Sequence, residues 1–350
     1  MEDDELTRKE RKTARKLASK TDRSKFKKTN LQKWEHKRQQ ENAIKLAKQD
    51  GLKKGRVLSI LPESISTDTE EGLISCTLGG LLKKEFTQQK NVLAVGDFVL
   101  YEPQSHRIVA ICERSSVLSR IDHLRRRKEQ ILAANVDQVL ITVSAQSPPL
   151  KAALIDRYLI AAFKGKLTPI IVINKIDLLQ KRSPEAAYYK LVLSLYKSLH
   201  IPILGVSVVT GQGLLALKKL MKGKASVFSG QSGVGKSSLI NTLTGLSLAV
   251  GDVRKIQKGV HTTTSSKLLP LPFGGWCVDT PGIRSFGIWE LTQEDLDHYF
   301  PEILELSAQC HYPNCTHTHE PQCHVLDSLK AGNLSPLRYE SYLRLREELT

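Results

Sequence analysis

"NKID", at Asn174–Asp177, and "GQSGVGKSS", at Gly230–Ser238, decide how this chain folds, and they stand in an unusual order. The second is a phosphate cradle. Gly230-x-x-x-x-Gly235-Lys236-Ser237 follows a predicted strand, "ASVFSG", and opens a predicted helix. Its glycines, with Gln231, Ser232, Val234 and Ser238, let backbone N–H groups turn inward around phosphate oxygens at the positive end of a helix dipole. Lys236 then reaches the β- and γ-phosphates as the catalytic cation, and Ser237 holds Mg2+. The first stretch ends the apolar run "TPIIVI" and reads a base. The Asp177 carboxylate accepts from both the N1–H and the 2-amino group of guanine, whereas adenine carries an acceptor at N1 and no 2-amino group. Asn174 holds the loop and the base edge, the stem of Lys175 packs over the ring, and Ile176 lies in the same loop. Ser207 and Val208, in "VSVVTGQG", back the base from the next loop.

Further motifs extend the order. "KGVHTTTS" follows the phosphate loop, and one of its threonines can complete Mg2+ coordination; Thr263 is favoured, with Thr262 next. "VDTPG" ends the predicted strand "GGWCVDT", so Asp279 is placed to bind Mg2+ through water and the Gly282 N–H to sense a γ-phosphate. The chain therefore runs base motif, backing loop, phosphate loop, threonine switch, DTPG, which is the order of a circularly permuted GTPase. In a doubly wound sheet every ligand loop lies at the carboxyl edge of the strands, so moving the termini leaves the site intact. The switch after DTPG leads directly into the C-terminal residues, and the expectation is that the triphosphate state moves them as a lever. Ile283 stands where many GTPases carry a water-orienting Gln, so slow hydrolysis completed by a partner is expected. His261 is the candidate for orienting that water. The missing Gln also leaves open a scaffold that uses GTP only as a conformational ligand.

Working outward, 350 residues imply two or three domains, and 40% hydrophobic residues allow a substantial core. The net charge of +16 calls for a polyanionic partner, nucleic acid or an acidic membrane surface. No apolar run approaches the roughly 18 residues that span a bilayer, and "MEDDELTRKERK" lacks a secretory core. Cytoplasm is the expected location. Residues 1–50 hold 16 Lys/Arg against 9 Asp/Glu and few apolar residues, which predicts a flexible or helical basic arm. Residues 51–120 read as short strands, "GRVLSIL", "GLISCTL", "NVLAVGDFVLYE" and "HRIVAICER". They predict a small β-barrel, an OB-fold first and an SH3-like barrel second. Arg125–Arg127 fall in an expected exposed linker. Residues 121–287 alternate apolar strands with helical patterns, as in a mostly parallel α/β sheet covered on both faces. Residues 288–350 are a Cys/His-rich module.

Six cysteines in a cytosolic chain argue against disulfides, and three of them crowd into "CHYPNCTHTHEPQC". Cys310, Cys315, His317 and Cys323 suit tetrahedral Zn2+ in a closed, structural site. His311, His319 and His324 are rival nitrogen donors. The tail "RYESYLRLR" is equally suited to touching RNA and to packing as an amphipathic helix.

Taken together, "NKID", "GQSGVGKSSLIN", "KGVHTTT", "DTPGIRSFG", the spacing C-x4-C-x-H-x5-C and "RYESYLRL" resemble the ribosome-small-subunit-dependent GTPase A family, RsgA or YjeQ. The resemblance runs from about Gly55 to the C-terminus. It implies an OB-fold, a permuted GTPase domain and a zinc domain, in a factor that acts late in maturation of the small ribosomal subunit. It implies GTP hydrolysis stimulated by that subunit; contacts to its rRNA, a monomer and no membrane are the accompanying expectations. It places GTP on Asn174, Lys175, Asp177 and Gly230 through Ser238, and zinc on Cys310, Cys315, His317 and Cys323. The basic arm is longer than the family pattern requires.

Overall fold

Five short strands close into a barrel at the head of the described chain. The computed structural model describes residues 51–61, 63–80, 82, 92–122, 128–245, 266–279 and 291–349, so the basic arm and Arg125–Arg127 lie outside it. Strands β1 (Lys53–Ile60), β2 (Ile65–Thr69), β3 (Gly72–Leu78), β5 (Arg107–Ile111) and β4 (Phe98–Glu102) pair in that order, and β4 returns to β1. Val57, Ile65, Cys76, Val99, Tyr101 and Ile108 point inward and fill the barrel, as period-two alternation requires. A closed five-stranded barrel of this kind is OB-like, and the SH3-like alternative is set aside. The run Asn91–Glu102 is not one strand. Its last five residues form β4 and Val95 makes an isolated bridge to Ala133, because Gly96 turns the chain at φ 90° and Asp97 is buried beside it. The Asp97 carboxylate accepts from Arg114 Nε at 2.7 Å and from the Ala94 N–H at 2.7 Å, so the corner is held by a paired charge.

The stretch expected as a linker is instead flanked by a two-stranded antiparallel ribbon. β6 (Val117–Asp122) and β7 (Lys128–Ala134) run in register from Val117↔Ala134 to Asp122↔Lys128. At the base of this ribbon Asn135 joins the barrel to the main sheet. Its side chain donates to Gly96 O at 3.1 Å and accepts from Ser115 N–H at 2.9 Å, while its own carbonyl accepts from Arg56 at 2.7 Å. The Arg56 guanidinium lies 5.2 Å from the centre of the Phe98 ring and 5.7 Å from that of Trp276.

The main sheet runs β10 (Ile203–Gly205), β9 (Thr168–Asn174), β8 (Gln138–Ser144), β11 (Ala225–Ser229), β13 (Trp276–Asp279), β12 (Lys267–Pro270). Its pairs are parallel except β12 with β13. β8 and β11 are buried at every residue, as central parallel strands must be. One face packs α1 (Ala152–Lys164) and α2 (Pro184–Ser198) through Ile155, Tyr158, Val192 and Tyr196. The other packs α3 (Leu214–Met221) and α4 (Lys236–Thr244) through Leu217, Met221, Leu239 and Leu243. β12 pairs onward with β1 at Ser59↔Lys267, so barrel and main sheet are hydrogen-bonded together.

The C-terminal module is α5 (Gln293–Leu296), α6 (Pro301–Ser307), α7 (His324–Lys330) and α8 (Pro336–Glu348) around Phe300, Ile303, Val325, Tyr342 and Leu345. Ile160 of α1 belongs to the same cluster, so the module is docked on the main domain. At the joint Arg338 is only 4% exposed. It donates to Asp156 of α1 at 2.5 Å and to Glu302 of α6 at 2.5 Å, and its guanidinium lies 4.1 Å from the Phe300 ring centre. Tyr196 of α2 donates to the same Asp156 oxygen at 2.7 Å. Burial pushes the Asp156 carboxyl up, against the pull of Arg338 and the Ser341 and Tyr196 hydroxyls. Between the two readings of "RYESYLRLR", Arg338 and Tyr342 follow packing.

Asp156→Ala leaves the Arg338 guanidinium buried without its partner and should cost about 3–5 kcal/mol, whereas Tyr196→Phe should cost about 1 kcal/mol. Urea denaturation should rank the two in that order; equal midpoints would show that the ion pair does not secure the joint.

Candidate functional site

Parallel pairing of neighbouring strands places the two decisive motifs side by side. Asn174 ends β9 opposite Ser144 of β8, and Ser229 ends β11 opposite Ile141 of the same strand. All three strands therefore release their loops at one edge. The phosphate loop lies flat against β8: a Cβ on Gly230 would sit 2.0 Å from the carbonyl oxygen of Thr142, so only glycine fits there. Gly235 is excluded from bearing a side chain by the other motif, because its Cβ would come within 2.4 Å of Asn174 Nδ2.

That approach has a purpose. Asn174 Nδ2 donates to the Val234 carbonyl at 2.9 Å, and Lys175 Nζ donates to Gly233 O at 2.6 Å and to Ser147 O at 2.6 Å. Lys175 takes a left-handed φ of 61° on the way. Two residues expected to face the base thus also grip the phosphate loop, and the Ser144–Leu150 loop, which the sequence did not single out, supplies a third anchor. Asp177 lies exposed in the 3-10 turn Ile176–Leu178, free to meet a base edge. The backing loop is drawn in by Ile176 N–H donating to Val206 O at 3.3 Å. Within it the Ser207 N–H donates to Gln212 O at 3.0 Å and Ser207 Oγ accepts from the Thr210 N–H at 3.1 Å. Ser207 is fully buried, so it shapes the turn that presents Val208.

Lys236 opens α4 with its ammonium folded over the loop, donating to Gly230 O at 2.6 Å and Gln231 O at 2.8 Å. The first N–H groups of α4 have no intrahelical acceptor and point the helix's positive end at the same space. Ser237 is exposed at the mouth, and Gln231, Ser232, Gly233 and Ser238 border it. Asn174 Oδ1 and Ser229 Oγ are buried with no protein partner, polar atoms in want of a ligand or water. Asp279 ends β13, which is separated from β8 by β11 alone, through the parallel β11–β13 ladder. His261, Thr262, Thr263, Gly282 and Ile283 lie outside the described residues.

The Cys/His cluster forms a second centre. Cys310 Sγ is 3.6 Å and Cys323 Sγ 3.5 Å from His317 Nδ1, and the two sulfurs are 3.8 Å apart. All four donor atoms, Cys315 included, lie within 4.8 Å of one another. A tetrahedral Zn2+ with ordinary Zn–S and Zn–N bonds requires S···S edges of about 3.8 Å and S···N edges of about 3.6 Å. The donor set fits zinc, and of the rival histidines none joins it. His319 Nδ1 is engaged with Thr318 Oγ1 at 2.8 Å, and the His311 ring lies edge-on to Tyr312. Burial pushes the Cys315 thiol up to about 12.

Two residues missed in the sequence organise this loop. Glu320 accepts from the N–H groups of Thr316 at 2.7 Å, Thr318 at 3.0 Å and His319 at 3.2 Å. Burial works to raise its carboxyl, but the Thr316 and Thr318 bonds prevail and hold it far below the usual range. Tyr339 of α8 donates to the His317 carbonyl at 2.7 Å, where His317 sits at a left-handed φ of 60°. A Glu three residues past a ligand was the available signal.

Comparison with known proteins agrees with this geometry. The profile of the RsgA GTPase family matches residues 111–289. A Chlorobaculum parvum protein named small ribosomal subunit biogenesis GTPase RsgA is 42% identical over 272 residues, 74% of this chain and 86% of that protein. Its Chlorobaculum tepidum namesake is 38% identical over 310 residues, 84% of this chain and 97% of its own. Among solved structures, YjeQ from Thermotoga maritima is similar with a TM-score of 0.67 at 33% identity, covering 85% of this chain and 98% of that one. YloQ, described as a circularly permuted GTPase, is similar with a TM-score of 0.66 at 26% identity, covering 86% and 96%.

Asn174→Ala removes the bond to Val234 without touching the phosphate-binding groups. It should weaken GTP and GDP alike by about tenfold or more, the equivalent of about 1–3 kcal/mol. Titration with a fluorescent guanine nucleotide would show this; an unchanged affinity would mean that the loop holds its shape alone.

Proposed function

The chain belongs to the RsgA GTPase family, and from that premise we propose that it is a GTP-hydrolysing assembly factor that binds the small ribosomal subunit in the cytoplasm and assists its late maturation. It is an α/β protein, a circularly permuted GTPase preceded by an OB-like barrel and followed by a Cys/His module. The observation that carries the nucleotide reading is the Asn174–Val234 hydrogen bond, which fastens the base motif to the phosphate loop.

In this reading Asp177 selects guanine and Val208 backs it. The loop Gly230–Ser238 cradles the phosphates, with Lys236 exchanging its carbonyl partners for phosphate oxygens. Ser237, Thr263 and Asp279 would hold Mg2+, which when bound neutralises charge on the phosphates. Gly282 senses the γ-phosphate. Because Ile283 offers no group to orient water, turnover is slow in the isolated chain and rises on the subunit, with His261 as the orienting residue. Cys310, Cys315, His317 and Cys323 would hold one structural Zn2+, supported by donor spacings that match a tetrahedron. The partner's rRNA supplies the polyanion that a net charge of +16 favours, and the factor acts as a monomer.

Phosphate release with and without purified small subunits tests the function: a rise of at least about tenfold is expected, in line with partner-completed GTPases, and no rise would leave GTP as a passive ligand. Asp177→Ala should erase the preference for GTP over ATP in calorimetry; a preference that survives would remove base reading from this carboxylate. Elemental analysis should find one zinc per chain, and a strong chelator should unfold the module, because such small sites fold with their metal.

A further inference from the structure

Between Glu185 and Asp252 the sequence contains no carboxylate. That span supplies α3, β11, the phosphate loop and α4. On α3 and the turn after it stand Lys218, Lys219, Lys222 and Lys224. Lys219, Lys222 and Lys224 are exposed, and Lys218 is half-buried with its ammonium 5.9 Å from the centre of the Phe273 ring. None of the four forms an ion pair among the described residues. The adjoining turn between β12 and β13, Leu271 to Gly275, adds no acid either. A carboxylate at the margin, Asp137, is committed to the Ala225 N–H at 2.7 Å.

Charge of one sign, gathered without a counter-ion, repels itself, and solvated helix faces ordinarily mix both signs. Leu215 and Lys219 lie one helical turn apart on one stripe of α3, and Lys222 follows at the residue that ends the helix. Leu217 and Met221 are turned into the core, so the large apolar side chains left exposed on α3 are Leu215, 76% exposed, and Leu220, 39% exposed. A membrane-surface helix needs a continuous apolar face to insert, and α3 spends its own on the sheet. A row of phosphates needs only the cations.

We propose that α3 and the Lys222–Lys224 turn form a docking face for the phosphodiester backbone of folded RNA, separate from the nucleotide site. The proposal rests on the reading of the chain as a small-subunit assembly factor and adds the surface by which the main domain meets RNA. From the base-backing loop Ser207–Gly213, α3 runs back toward the start of β11, so Lys222 and Lys224 lie toward the sheet edge opposite the nucleotide loops.

The test compares wild type with Lys218→Gln/Lys219→Gln/Lys222→Gln/Lys224→Gln, and with the milder pair Lys219→Glu/Lys222→Glu, which leaves the Lys218–Phe273 contact in place. Binding to purified small subunits and to a short RNA duplex is followed across a salt series. Each lost phosphate contact lowers the salt slope by about 0.7–0.9, so the fourfold variant should lose about 3 from its slope and at least about tenfold in affinity. GDP affinity and basal hydrolysis should stay at wild-type values for both. Variants that bind both probes with the wild-type affinity and slope overturn the proposal. So does loss of binding to vesicles of phosphatidylcholine and phosphatidylserine with RNA binding intact. Wild type that fails to sediment with subunits sinks the assembly-factor reading itself, a result distinct from equal binding by wild type and variants.

Discussion

One hydrogen bond, from Asn174 Nδ2 to the Val234 carbonyl, makes a single pocket out of two loops that the chain visits sixty residues apart. It is possible only because β9, β8 and β11 are parallel neighbours that end on one edge, and because Gly235 has no side chain to obstruct the amide. The order of motifs along the chain is then immaterial. Strand adjacency, not sequence order, sets which loops meet, and the adjacency survives when base reading precedes phosphate binding. Lys175 strengthens the point, since its ammonium bridges the phosphate loop and the loop after β8 and so ties three strand ends together.

The C-terminal module is joined to this core by a comparable economy. Arg338 and Tyr339 are consecutive on α8, yet one grips Asp156 of the main domain and the other the carbonyl of His317. Helix α8 therefore holds the GTPase domain with one residue and the Cys/His loop with the next. A buried ion pair contributes little net stability but is costly to break on one side, which makes it an effective lock of register between two packed bodies. Arg157 pairs with Glu348 at the far end of the same helix, so the docking is fixed at two points.

Much of this was legible in the sequence because chemistry confines certain residue types to adjacent positions. The phosphate loop, NKID and the Cys/His run each pack their donors into a few residues, and β8 and β9 announce themselves by near-continuous apolar runs. What escaped has two causes. β2, "ISTDT", and β12, "KLLP", are too short to show a period, and the β6–β7 ribbon mixes apolar and charged residues without strict alternation, so periodicity gave no signal. The interactions of Arg338 escaped because its partners lie 36 and 182 residues away. His317 was named from the sequence beside three rival histidines, and the left-handed turn at its own backbone is what brings its ring to the three thiols.

The Ser59–Lys267 pairing has a mechanical meaning. β12 is the first described strand after the threonine motif, and its two edges are shared: β13 on one side, the barrel on the other. Asn135 bonds Arg56 and Gly96 at the base of the ribbon, a second tie between the barrel and the main sheet. A shift of β12 along β13 would therefore be carried through β1 into the barrel, as a crank turns a wheel keyed to its shaft.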